Sequence, residues 1–158
     1  MERNYLQNKS MDFSIRMVEL YQKLSDEKHE YVMSKQVLRS GTSIGANVRE
    51  AKRAQSTPDF YSKLTISLKE ADETQYWLEL LHRTGYVNEE TFKSYNSDCE
   101  ELIRLLVSIT KTLHNKIMKQ KCLKQFSNCE LQTSNSKLKT TPNSELRIPN
   151  YLLLSHGF

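Results

Sequence analysis

Between Ser34 and Ala51 the chain reads SKQVLRSGTSIGANVREA, a run free of proline in which glycine, serine and alanine sit between charged flanks. At about 100° per residue, Val37, Gly41, Ile44, Val48, Ala51 and Gln55 fall along one seam of a helix. Opposite them lie Lys35, Arg39, Thr42, Ala46, Arg49 and Arg53, a stripe without a carboxylate. One face therefore buries and the other presents cations. Gly41 and Gly45 each cost about 1 kcal/mol against alanine inside a helix, a penalty recovered if another helix packs closely against the bare backbone. A break at Gly41 is the competing expectation, because glycine and serine propagate helices poorly. The Gly-x-x-x-Gly spacing also occurs in paired membrane helices. Here Lys35, Arg39, Arg49 and Glu50 crowd it too closely for a span of roughly 20 apolar residues.

The flanking periodicities predict three more helices. Phe13, Met17, Leu20, Tyr21 and Leu24 give the inner side of a first helix from about Asp12 to Leu24. The polar stretch Ser25 to Glu30 separates it from the second, expected over Tyr31 to Gln55. Ser56-Thr57-Pro58-Asp59 is a helix start, with a hydroxyl at the cap and proline in the first turn. The third helix follows to about Arg83 on the seam Phe60, Leu64, Ser67, Ala71, Thr74, Leu78 and Leu81, and Gly85 supplies its stop. Asn88, Glu89 and Glu90 then form a cap and acidic first turn for a fourth helix. Its heptad is Phe92, Tyr95, Cys99, Leu102, Leu106, Ile109 and Leu113, widened by Ile103, Leu105, Val107 and Ile117. Four amphipathic helices with short links predict an all-α, antiparallel up-and-down four-helix bundle. The wide apolar arc of the fourth suggests either a central place in that bundle or a subunit contact. From about Gln125 to Phe158 serine, asparagine and threonine dominate, Pro142 and Pro149 appear, and a disordered tail is expected. The domain reading is thus a bundle over 1–124 and a tail over 125–158, whose apolar end, Ile148 to Leu154, could dock on a partner or on the body.

Two blocks carry a family resemblance. Gln36 with Arg39-Ser40-Gly41-Thr42-Ser43-Ile44-Gly45-Ala46-Asn47-Val48-Arg49-Glu50-Ala51, and Leu68-Lys69-Glu70-Ala71-Asp72-Glu73-Thr74-Gln75-Tyr76-Trp77-Leu78-Glu79-Leu80-Leu81, resemble the bacterial four-helix-bundle proteins encoded in intervening sequences of 23S ribosomal RNA genes. The resemblance covers about residues 12 to 118. It implies an up-and-down bundle, assembly into a ring-like homopentamer, and no established enzymatic activity. A related group, the accessory proteins of diversity-generating retroelements, is basic and binds nucleic acid and a reverse transcriptase.

Composition agrees. The 158 residues fit one domain, and only four glycines and three prolines favour a helical body. The charge of +4, from 23 basic and 19 acidic residues, does not by itself mark a nucleic-acid binder. Three irregularly spaced cysteines give neither a disulfide framework nor a zinc pattern. With no apolar core of a signal peptide in MERNYLQNKS and no window of membrane-spanning length, a cytoplasmic protein is expected.

Chemistry finds little foothold. Glu79-Leu80-Leu81-His82 has the Glu-x-x-His spacing of di-iron bundles, but it occurs once and at a helix end, where a histidine ordinarily complements the dipole. His29, His114 and His156 have no nucleophile with an orienting carboxylate, Cys99 falls on an apolar seam, and no phosphate loop is present. No catalytic residue, cofactor or metal is expected. Binding remains. Lys35, Arg39, Arg49 and Arg53 form the candidate nucleic-acid-binding set, for RNA or DNA. Lys111, Lys116, Lys119, Lys121 and Lys124 add a basic end to the fourth helix. Repeated around a homo-oligomer, such patches would sum into an anion-attracting field. The rival is structural: Arg39 and Arg49 pairing with Glu70 or Glu73, in a scaffold whose partners are proteins.

Overall fold

The computed structural model describes residues 2–138; for 2–4, 124 and 126–138 the backbone alone is described. Four helices follow one another, α1 (Glu2–Lys28), α2 (Met33–Ala51), α3 (Thr57–Arg83) and α4 (Glu89–Leu138). The described residues fall into two units, 2–120 and 121–138.

In the first unit every neighbouring pair runs antiparallel. Met17 and Ser14 of α1 meet Gly41 and Gly45 of α2. Ser67 of α3 donates to the Ile44 carbonyl at 3.0 Å, and the Thr74 hydroxyl lies 2.9 Å from Ser40 Oγ. Cys99 of α4 donates to the Ala71 carbonyl at 3.4 Å, and Lys9 reaches Glu101 at 2.9 Å. The enclosed core holds Phe13, Met17, Leu20, Leu24, Val37, Ile44, Leu64, Leu78, Leu81, Leu102 and Leu106.

Helix α2 is unbroken through Gly41, so the break weighed from the sequence does not occur. Its seam is the expected one from Val37 to Ala51, joined by the buried Ser34 and Ser40. Those serines stay inside a helix because each hydroxyl finds a carbonyl one turn back, Ser34 on Glu30 and Ser40 on Gln36. The α1–α2 approach is close enough that a methyl group on Gly41 would overlap Met17, and one on Gly45 would stand 2.8 Å from Ser14 Oγ. This close packing offsets the helix-propensity cost of the two glycines.

The ends differ from the sequence expectation. Helix α1 begins ten residues before Asp12, at Glu2, because Leu6 and Ser10 continue the buried side of Phe13 and Met17. It closes with the Glu30 N–H on the Leu24 carbonyl at 3.1 Å and His29 at a φ of 52°, a left-handed cap without the usual glycine. Helix α2 starts at Met33 rather than Tyr31. The buried Glu30 carboxylate accepts the N–H groups of Val32 and Met33 at 2.9 Å and of Ser34 at 2.6 Å. Helix α2 also stops at Ala51 and not at Gln55. Gln55 N–H is taken by Asp59 and Ser56 caps α3 through the Asp59 N–H, so the chain must already have turned. Helix α3 ends as expected, with Gly85 at a φ of 80° and the Val87 N–H on the Leu81 carbonyl.

Of the second unit, the structure describes the helical stretch to Leu138, with Lys121, Cys122, Leu123 and Gln125 exposed. The helix thus runs past Lys124, where the sequence reading ends it. No proline or glycine interrupts residues 125–138, and extending an existing helix needs no new nucleus. Residues 139–158, including the apolar segment Ile148 to Leu154, lie outside the described residues.

Candidate nucleic-acid interface

The four basic residues picked from the sequence do not form one site. All four are exposed. Lys35 stands in the first turn of α2. Arg39, one turn on, is held by carboxylates of α3: its guanidinium pairs with Glu73 and lies 3.8 Å from Glu70. Glu73 also accepts from the half-buried Trp77 ring N–H at 3.2 Å, and the exposed Tyr76 packs edge-on against that indole at 5.1 Å. For Arg39 the structural pairing anticipated as the rival is therefore the observed one.

Arg49 and Arg53 behave differently. Among the described residues neither side chain has an ion-pair partner, and Arg53 lies in the turn beyond α2 rather than on the helix. The carboxylate nearest them in sequence, Glu50, points to α3 and binds Lys63 at 2.6 Å. It also holds the Lys63 ammonium pKa above its ordinary value, chiefly through that hydrogen bond. With Glu50 engaged, Arg49 and Arg53 come together with Lys52 along a groove of about 800 Å³ between α1 and the second half of α2. Ser10, Ser14, Gly45 and Ala46 line its floor, Gln7, Asn8 and Met11 its other wall, and among the described residues no acidic side chain lines it. The groove exists because the facing side chains are small where the helices touch.

Lys52, Gln7 and Asn8 were not found from the sequence. Lys52 falls off the stripe defined by helical period, and no single-helix pattern reports which residues of α1 face α2. An indirect signal was available, since Ser10 and Ser14 match Gly45 and Ala46 as small residues. Farther along α4, Lys111, Lys116 and Lys119 are exposed; the Lys124 side chain is outside the described set.

The other candidates resolve into structural roles. Glu79 pairs with Arg83 at 2.5 Å. His82 bridges α3 to the start of α4, with Nε2 2.8 Å from Glu89, Nδ1 3.1 Å from the Val87 carbonyl and its ring stacked on Phe92 at 4.7 Å. The glutamate and histidine thus turn to different partners and share no ligand position. Among the described residues no group of three or more His, Cys, Asp or Glu is placed to hold a metal ion. Burial pushes the Cys99 thiol up to about 12, the value of an inert core residue. No described helix is long and apolar enough to cross a membrane.

Residues 2–108 match the family described as 23S rRNA-intervening sequence protein. A crystal structure of a protein of unknown function from the S23 ribosomal protein family of Bacteroides thetaiotaomicron is 57% identical. The match covers 70% of this chain and 99% of that one, with a TM-score of 0.70. Comparison with curated proteins yields no match.

Proposed function

As the chain belongs to the 23S rRNA-intervening sequence protein family, we propose that it is a nonenzymatic, self-associating RNA-binding or ribonucleoprotein accessory factor of the cytoplasm. The observation that carries the reading is that Arg49 and Arg53 share a groove with Lys52 and, among the described residues, have no carboxylate partner. Arginines left unpaired on a protein with a positive net charge are free to meet phosphate. The family is named for intervening sequences of 23S rRNA, and the Bacteroides relative, itself of unknown function, for a ribosomal protein family, a setting that a ribonucleoprotein role would suit.

Self-association, as the homopentamer of the resemblance, is supported by apolar surface that the described residues leave exposed. Ile15 and Val18 are 52% and 41% exposed on successive turns of α1, and Val107 of α4 is 45% exposed beside the half-buried Ile103. Such stripes suit subunit contacts. The second reading, a protein scaffold with structural basic residues, is favoured by one observation, the pairing of Arg39 with Glu70 and Glu73.

One experiment separates them. RNA binding is followed by gel shift over a salt series while light scattering follows the oligomer. Arg49→Ala with Arg53→Ala is expected to weaken binding and leave the assembly whole. Arg39→Ala is expected to change binding little. If the Arg49 and Arg53 changes dissolve the assembly instead, or if RNA is not bound at low salt, the scaffold reading replaces this one.

A further inference from the structure

We propose that the α1–α2 groove is a track for the phosphodiester backbone of single-stranded nucleic acid, gripped by Arg49, Lys52 and Arg53 without base readout. This rests on the nucleic-acid reading above and adds the seat, the strandedness and the role of Lys52.

Charge comes first. The three cations lie within five consecutive residues, and spacings of three and four set helical side chains about 5–6 Å apart. Arg49 and Lys52 hold this relation at the end of α2, and Arg53, in the turn beyond it, lines the same groove. A row of this kind meets successive charges on one strand. Readers of duplex RNA use separated patches that contact two minor grooves. The one acid within this stretch, Glu50, is removed by its bond to Lys63, and among the described residues no acidic side chain lines the groove. The row is therefore uniformly positive on its open side.

Shape gives the second argument. At the floor the two helices are in direct contact, with the Gly45 position facing Ser14 Oγ and the Ser10 carbonyl. A channel of about 800 Å³ over such a contact line has room for a short stretch of a single strand. A double helix, with two strands wound around each other, is thicker than the single strand and would touch only the rim. The third argument is what the lining lacks. Single-strand binders that hold bases stack them on aromatic rings, and among the described residues no aromatic side chain lines this groove. Contacts confined to phosphate and sugar position a strand but carry no sequence information. The terminal amides of Gln7 and Asn8 on the far wall are suited to sugar hydroxyls or phosphate oxygens.

The test uses the full chain and a labelled short oligouridylate, read by fluorescence anisotropy between 50 and 200 mM salt. Three phosphate contacts on a single strand give a log–log salt slope of about −2, roughly a twentyfold loss of affinity across that range. Lys52→Ala is expected to make the slope shallower by about 0.7. Ala46 lines the groove yet is exposed, so Ala46→Glu places a carboxylate in the track without entering the core, and binding is expected to fall at least tenfold. Ala46→Gln, of the same length and neutral, is expected to retain most of it, and circular dichroism melts check that both variants fold. If Ala46→Glu and Lys52→Ala bind normally while Arg49→Ala with Arg53→Ala does not, the track is wrong and the wider reading stands. If none of these changes binding, both fail. Duplex RNA binding as tightly as the single strand, or poly-glutamate competing as well as oligouridylate, would also overturn the proposal, the latter in favour of an acidic protein partner.

Discussion

Replacing Gly41 by alanine should destabilise this protein, although the same change in an ordinary exposed helix stabilises it. Alanine is better than glycine in a helix interior by about 1 kcal/mol. Against this stands the side chain of Met17, fully buried and directly over Gly41: a new methyl group would overlap its Cγ and lie 2.8 Å from its sulfur. Met17 cannot swing away freely because it is enclosed by the core, and overpacking of this kind costs about 1–3 kcal/mol. The net expectation is a loss of about 0–2 kcal/mol. Met17→Ala alone should cost about 2–5 kcal/mol, but in that background the obstacle is gone and Gly41→Ala should become stabilising by about 1 kcal/mol. The coupling between the two sites is then about 1–3 kcal/mol, within the range for contacting residues. Urea unfolding followed by far-ultraviolet circular dichroism measures all four corners of the cycle. A gain of about 1 kcal/mol from Gly41→Ala in both backgrounds would refute the close α1–α2 approach on which the fold and the groove depend.

Three further outcomes are expected. Burial alone would raise the Glu30 carboxyl, but the N–H groups of Met33, Ser34 and Val32 outweigh it and hold the pKa below the ordinary glutamate value. A depressed folded pKa contributes stability above the unfolded value, near 4.3, and that contribution disappears as pH falls through the folded one. Glu30→Gln should therefore flatten the acid limb of stability against pH, and Glu30→Ala should cost about 1–2 kcal/mol at neutral pH, the loss of a helix cap; an unchanged limb would contradict the cap. In a Cys129→Ser background Ellman's reagent should titrate Cys122 at once and Cys99 only on unfolding, since Cys99 is buried and Cys122 exposed; rapid modification of both would show that α4 opens. Gly85→Ala meets no atom within 4 Å, so its cost of about 1 kcal/mol comes from the left-handed backbone alone, and calorimetry should show a melting point lower by roughly 3–4 °C.

The helices were legible because burial repeats with the helical period. Val37, Ile44 and Val48, or Leu64, Ala71 and Leu78, report the same direction every turn, and that average survives local exceptions. The ends were less legible because single contacts set them. Nothing in the composition of Ser25 to Glu30 says that the last residue of that polar stretch turns inward to collect three backbone N–H groups, or that His29 takes a backbone conformation usually left to glycine. The start of α1 was missed for a different reason: Leu6 and Ser10 extend the seam, but serine at a buried position weakens the periodic signal, and its hydroxyl is satisfied locally on the Gln7 carbonyl at 3.0 Å.

The basic site was half legible, and the missing half shows what a sequence withholds about charge. Helical period placed Lys35, Arg39, Arg49 and Arg53 on one side of α2, yet function depends on which cations remain unpaired, a property of neighbouring helices. Glu70 and Glu73, more than thirty residues away in sequence, reach Arg39. Lys63 takes Glu50 from beside Arg49, and α1 supplies the opposite wall for Arg49, Lys52 and Arg53. The small residues that let α1 approach α2 therefore do two things at once. They close the core at Gly41 and Met17, and where the same contact line runs out toward Gly45 and Ala46 they leave a channel whose rim carries cations that α3 does not pair. Placing a carboxylate in that channel while keeping the helices together, as Ala46→Glu is designed to do, is expected to act on binding without acting on the fold, whereas Gly41→Ala should act on the fold first.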